Sequence, residues 1–188
     1  MKDVVISEAV KYIGADDKDL ALFESQYIIP NGVSYNSYVI LDEKIAVMDT
    51  IDTRKTDEWK ENLERVLDGR TPDYLVVSHL EPDHAGSIKE FADKYPEAKI
   101  VASAKAIAML PQFFEIADLT DRAVAVKEGE ELSLGSHTLQ FFMAPMVHWP
   151  EVMVEYEKSE KILFSADGFG KFGALSLTEN EEDWACEA

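Results

Sequence analysis

The sequence predicts a layered α/β sandwich, two sheets packed together with helices outside them, rather than a doubly wound parallel sheet. Two observations carry this. Strands dominate the first third, strand and helix alternate in the middle, and strands return after residue 123. No internal repeat, linker or low-complexity segment interrupts the order, and 188 residues with 46% hydrophobic content suffice for one domain over 1–188 with a substantial core.

In chain order, strands are expected over 20–29, 37–41 and 44–49, the last two joined by a tight turn at Asp42-Glu43. From Arg54 to Asp68, Trp59, Leu63, Val66 and Leu67 fall at i, i+4, i+7 and i+8, which is one helix face, with Thr53 able to cap it and Gly69 to stop it. Pro72-Asp73 introduces a buried strand, Tyr74-Leu75-Val76-Val77-Ser78. Ile88, Phe91, Ala92 and Tyr95 mark a second amphipathic helix, and Lys99 opens a short strand to Ala102. Ser103 can cap a third helix through Leu110, ended by Pro111. Strands follow at 123–127, 130–134, 137–143, 152–157 and 161–165. The charges of the acidic run Glu179-Asn180-Glu181-Glu182-Asp183-Trp184 would favour a helix N-terminus, and if a helix begins there the sequence stops inside its first turns.

With 37 acidic against 18 basic residues the formal charge is -19, which opposes binding to phosphate backbones and to anionic lipid. Neither nucleic acid nor a membrane is an expected partner. The single cysteine, Cys186, rules out an intrachain disulfide and thiolate metal sites, and points to a reducing, cytoplasmic setting. No apolar stretch approaches the roughly 20 residues a membrane span needs.

The chemistry concentrates in His79-Leu80-Glu81-Pro82-Asp83-His84, four potential metal ligands directly after a buried strand. A strand delivers such residues at its carboxyl edge, where open α/β folds place their chemistry. His79 and Glu81 are two apart, so in extended backbone they face one side, while Asp83 and His84 diverge enough to address a second ion. The plain alternative makes Asp83 the cap of a helix starting near Ala85 and the histidines ordinary loop residues, but a cap requires far less than this pattern. His148 and Asp167 each follow an apolar strand, so one placement occurs three times.

These residues resemble the metallo-β-lactamase-like domain of flavodiiron proteins, whose order is His-x-Glu-x-Asp-His, then a histidine, then a bridging aspartate, then a final histidine. The match runs through His79, Glu81, Asp83, His84, His148 and Asp167. Supporting segments are Gly32-Val33-Ser34-Tyr35-Asn36-Ser37-Tyr38, Trp149-Pro150 and Phe169-Gly170-Lys171-Phe172-Gly173-Ala174-Leu175.

The resemblance implies two iron ions. His79, Glu81 and His148 hold one, Asp83 and His84 the other, and Asp167 bridges them. Glu81 stands where related hydrolases usually have histidine, so oxygen replaces nitrogen in a set otherwise suited to zinc. The implied activity is reduction of O2 to water, of NO to N2O, or both. Electrons would come from an external flavodoxin-like or rubredoxin-type donor, and FMN would belong to a separate domain or partner.

The family's last histidine has no counterpart after Asp167, and His137 precedes it in chain order and reads as a strand or surface residue. The expected fold is therefore a metallo-β-lactamase-like αβ/βα sandwich that is C-terminally incomplete, lacking its last strand and helices. An open sheet edge of that kind favours a homo-oligomer or association with a C-terminal partner chain. The alternatives are an O2-binding or sensing diiron protein, a zinc-dependent hydrolase of the same superfamily, and a metal-free interaction fragment.

Overall fold

The computed structural model describes residues 6–175, so the acidic run at 179–184 and Cys186 lie outside the described residues. The early strands are β1 (Val10–Tyr12), β2 (Ala15–Asp17), β3 (Leu22–Phe23), β4 (Tyr27–Ile28), β5 (Val33–Tyr35), β6 (Tyr38–Ile40) and β7 (Ala46–Met48). Next come α1 (Thr56–Leu67), β8 (Tyr74–Val77), α2 (Pro82–Ala85), α3 (Ile88–Lys94), β9 (Lys99–Ser103), α4 (Ala104–Met109), α5 (Leu119–Arg122) and β10 (Ala123–Val126). The described chain closes with β11 (Glu131–Ser133), β12 (Thr138–Met143), β13 (Met153–Glu157) and β14 (Ile162–Phe164).

A six-stranded sheet runs β1-β6-β7-β8-β9-β10, antiparallel at β1, β6 and β7 and parallel from β7 onward. A four-stranded antiparallel sheet, β11-β12-β13-β14, packs against it. Alternation along each central strand divides the core in two. Val39, Val47, Leu75, Val77, Ile100 and Ala102 face helices and pack with Trp59, Leu63, Leu67, Ile88 and Phe91. Ile40, Ala46, Met48, Val76 and Val101 face the second sheet and meet Leu139, Phe141, Met153 and Phe164. These central strands are apolar on both faces because both are covered. On the outer face of the second sheet, Val154 and Tyr156 are half-buried and Leu163 is exposed, and among the described residues no helix packs there.

The helices follow local rules. Apolar spacing sets α1, which ends where Asp68 and Gly69 turn to positive φ. Ser103 accepts a hydrogen bond from the Ala106 amide and caps α4 as expected. A 3-10 turn through Pro111 follows.

Two departures from the sequence reading arise from tertiary structure. The strand expected over 20–29 is a hairpin, with Leu22 opposite Ile28 and Phe23 opposite Tyr27, because Glu24 and Ser25 both adopt positive φ. The short helix α5 lacks an apolar stripe long enough to read; it brings Arg122 under α3, where the guanidinium donates to the carbonyls of Ala92, Tyr95 and Ala98.

His137 lies away from the ligand-rich loop and joins the two sheets. One oxygen of Asp42 accepts both its backbone amide at 2.7 Å and its Nδ1 at 2.8 Å, while Glu160 stands 3.5 Å from Nε2. Hydrogen bonds to Asp42 and Glu160 hold the imidazole above its usual range against burial, and Asp42 is correspondingly lowered by His137 against its own desolvation.

A raised histidine stabilises fully below its unfolded value of about 6.5 and loses that contribution as pH rises through its folded value; a lowered aspartate contributes above about 3.9. Asp42→Ala is therefore expected to cost about 1–3 kcal/mol, most between about pH 4 and 6.5 and less in alkali. Urea unfolding of both proteins at pH 5.5 and pH 9 checks this, and an equal deficit at the two pH values contradicts it.

Candidate metal centre

The strands deliver the site at their carboxyl ends. His79 and Glu81 follow β8, and Glu81, in extended backbone, takes the N-cap position of α2 with no side-chain cap bond. Pro82 opens the helix, and Asp83 and His84 occupy its first turn. Asp83 is thus inside the helix rather than its cap. The loop after β12 brings His148, and the turn after β14 brings Asp167.

Backbone contacts hold the loop. The Thr50 amide and hydroxyl both donate to the His84 carbonyl, at 2.8 and 2.9 Å. Gly86 fits where a Cβ would lie 2.7 Å from the Pro82 carbonyl oxygen and 2.8 Å from the Thr53 nitrogen, so a larger residue would push α2 off the strand edge.

All six sequence candidates come together in two overlapping groups: His79, Glu81, His148 and Asp167 in one, Asp83, His84 and Asp167 in the other, the donor atoms of each within 4.8 Å. In the first, Nε2 of His79 lies 3.2 Å from Glu81 Oε2, 3.5 Å from His148 Nε2 and 3.4 Å from Asp167 Oδ2. Nε2 of His148 lies 2.8 Å from Glu81 and 3.4 Å from Asp167. A metal bound at about 2.1 Å separates adjacent ligand atoms by about 3.0 Å in octahedral and about 3.4 Å in tetrahedral geometry, so these edges suit one ion. In the second group His84 Nε2 is 2.8 Å from Asp167 Oδ1 and 3.5 Å from Asp83 Oδ2. Asp167 thus turns one oxygen to each group.

The electrostatics fit cations. Oδ1 of Asp83 and Oδ2 of Asp167 are buried without a hydrogen-bond partner, a state that costs about 1–3 kcal/mol per group and that a metal would relieve. Burial disfavours a charged His79, but the neighbouring carboxylates of Asp167, Glu81 and Glu151 outweigh it and hold the imidazole up at about 10. His84 rises to about 9 against burial, through Asp167, Asp83 and Asp49. Glu81, though desolvated, falls to about 2 beside His79, Glu24 and His148. Asp167 is held well below the carboxylate range by both histidines, and burial lifts Asp83 to about 6. The donor set concentrates negative charge that imidazolium protons balance and that bound metal would balance in their stead.

Several surrounding residues escaped the sequence reading. Glu151, directly after Trp149-Pro150, is fully buried against His79. Asp49, at the end of β7, accepts the Ser78 amide at 2.7 Å and stands 3.8 Å from His84 Nδ1. The β3–β4 hairpin sets Phe23, Glu24 and Tyr27 at the mouth, where Phe172 packs 5.1 Å from Phe23 and 6.1 Å from Tyr27. The resulting open cavity of ≈ 550 Å³ reaches Glu81, Asp83, His84, His148 and Asp167.

A sandwich of two sheets with such a strand-edge site defines the metallo-β-lactamase-like class. Comparison with known proteins agrees: the family described as ODP family beta lactamase matches residues 33–185, and the chain belongs to it. Similar proteins include oxidoreductases acting on oxygen or nitric oxide and a solved flavodiiron protein. A rubredoxin-oxygen oxidoreductase of Megalodesulfovibrio gigas is 34% identical over 176 residues, covering 94% of this chain and 43% of that protein. A nitric oxide reductase of Moorella thermoacetica is 32% identical, covering 95% of this chain and 45% of that one. The crystal structure of the flavodiiron protein from Giardia intestinalis superposes with a TM-score of 0.85 at 31% identity, covering 94% of this chain and 42% of its own. The chain spans less than half the length of these relatives. Among the described residues no helix is long and apolar enough to cross a membrane.

Proposed function

We propose that the chain is the metal-binding module of a non-haem diiron oxidoreductase that reduces O2 to water, NO to N2O, or both. Asp167 carries this reading, because one carboxylate facing two donor groups is what a bridged pair requires. His79, Glu81 and His148 would hold the first iron, Asp83 and His84 the second. When bound, an iron pair there would supply redox chemistry and open positions for a diatomic molecule. The protein orients the pair through Asp167, and Glu81 favours iron over zinc. Phe23, Tyr27 and Phe172 line the open approach beside Glu24 and Lys171, wide enough for a diatomic molecule.

The names of the relatives, nitric oxide reductase and rubredoxin-oxygen oxidoreductase, support this substrate class and a rubredoxin-type donor, and a flavodoxin-like donor is the alternative. FMN would be presented by another domain or partner. In this reading the module works in a reducing, cytoplasmic setting and associates with a second copy or a partner chain.

Anaerobic iron reconstitution tests the reading. About two irons per chain, with oxo-bridged diferric absorption that bleaches on reduction, are expected of a bridged carboxylate pair. O2 or NO consumption should follow when a reduced flavin or rubredoxin donor is added. Zinc retention with esterase or lactamase turnover, or no retained metal, refutes it.

A further inference from the structure

Three buried carboxylates surround the site without belonging to either donor group. Asp49 holds the Ser78 amide, and Glu155 accepts the Ser78 hydroxyl at 2.9 Å. Glu151 alone makes a hydrogen bond of normal length to a candidate ligand, with Oε1 at 2.8 Å from His79 Nδ1. Both side chains are fully buried. The Leu80 amide donates to the same Oε1 at 3.0 Å, and the Glu151 carbonyl accepts the Ser103 hydroxyl at 2.8 Å. Anchored from β9 and from the ligand loop, the carboxylate has one place to sit.

We propose that Glu151 is the positioning residue of the first half-site, fixing the His79 tautomer and making that half-site the first and tighter of the two to take a divalent cation. The inference rests on the diiron reading. A carboxylate at Nδ1 keeps the proton on that nitrogen and leaves the lone pair on Nε2, the atom that faces Glu81, His148 and Asp167. Its charge also makes the imidazole a stronger donor. The second half-site lacks this arrangement. His84 Nδ1 is buried with no hydrogen-bond partner, and the Asp49 oxygen 3.8 Å away is beyond hydrogen-bond reach. Two half-sites that share Asp167 are therefore unequal in how firmly their histidines are aimed.

The test titrates Fe(II), anaerobically, and Zn(II) against a competing chelator in the wild-type chain and in Glu151→Gln, Glu151→Leu and Glu155→Gln. Glutamine keeps an acceptor for Nδ1–H and the Leu80 amide but loses the charge; leucine loses both. The first ion should weaken about 10-fold in Glu151→Gln and towards 100-fold in Glu151→Leu. Glu155→Gln, which removes an equally buried acid that touches no ligand, should leave that affinity unchanged.

Equal affinities across the Glu151 series, or a loss as large in Glu155→Gln, overturn the proposal. Should the Glu151 variants not fold, nitrogen-15 spectra of the zinc-loaded wild type decide. A slowly exchanging, hydrogen-bonded His79 Nδ1–H supports the assignment, and a proton on Nε2 or a freely exchanging Nδ1–H refutes it. A wild-type chain that binds neither metal sinks the diiron reading itself; wild-type binding with an unresponsive Glu151 sinks only this inference.

Discussion

Replacing Asp167 with alanine is expected to abolish retention of the second iron and, with it, all reduction of O2 or NO. The carboxylate faces His84 through Oδ1 at 2.8 Å and His79 and His148 through Oδ2 at 3.4 Å, and among the described residues it alone belongs to both donor groups. Without it the first ion keeps His79, Glu81 and His148, while the second is left with Asp83 and His84. Losing one of three charged or imidazole ligands at a partly exposed site is expected to cost at least about 2–3 kcal/mol, on the order of a hundredfold in affinity for the second ion.

Asp167→Asn keeps the shape and loses the charge, so it should fall between the two. The fold should survive either change, since the side chain is about one-third exposed and the backbone turn is closed by the Gly170 amide on the residue 167 carbonyl. Metal analysis after reconstitution, with circular dichroism to confirm folding, gives the result. Full loading with two irons in Asp167→Ala would remove the bridging role.

The legible part of this chain was whatever local chemistry dictates. Residues 74–77 read as a buried strand because apolar side chains are needed on both faces of a covered central strand, and α1 read as a helix because one face packs Trp59, Leu63 and Leu67. The six candidate ligands were visible because each follows such a strand and metal chemistry restricts residue type.

What stayed hidden depends on partners far along the chain. Strands β1, β2 and β5 are three residues each, too short for periodicity, and exist because they pair with β6 or with each other. Glu151 is an unremarkable glutamate until the fold brings it to His79, 72 positions earlier. Nor does any spacing rule show that Glu24 and Ser25 would break a strand and deliver Phe23 and Tyr27 to the mouth.

Glu81→His should change which metal the first half-site keeps. Glu81 is buried, and its Oε2 lies 2.8 Å from His148 Nε2 and 3.2 Å from His79 Nε2, so a histidine there would complete a three-nitrogen set with Asp167 as the fourth ligand. Three imidazoles and one carboxylate in tetrahedral array suit zinc, while removal of an anionic oxygen withdraws the charge that steadies ferric iron. The backbone tolerates the change, because Glu81 caps α2 by position alone, with no side-chain bond to the helix. In competition between equal Fe(II) and Zn(II), the ratio of zinc to iron retained should rise on the order of 10- to 100-fold over wild type, and the diferric band should be lost. Both effects follow from a single oxygen-to-nitrogen exchange, so they must appear together. Iron retention and redox behaviour indistinguishable from wild type would mean that Glu81 does not select the metal and that the choice lies with the remaining carboxylates, Asp83 and the shared Asp167.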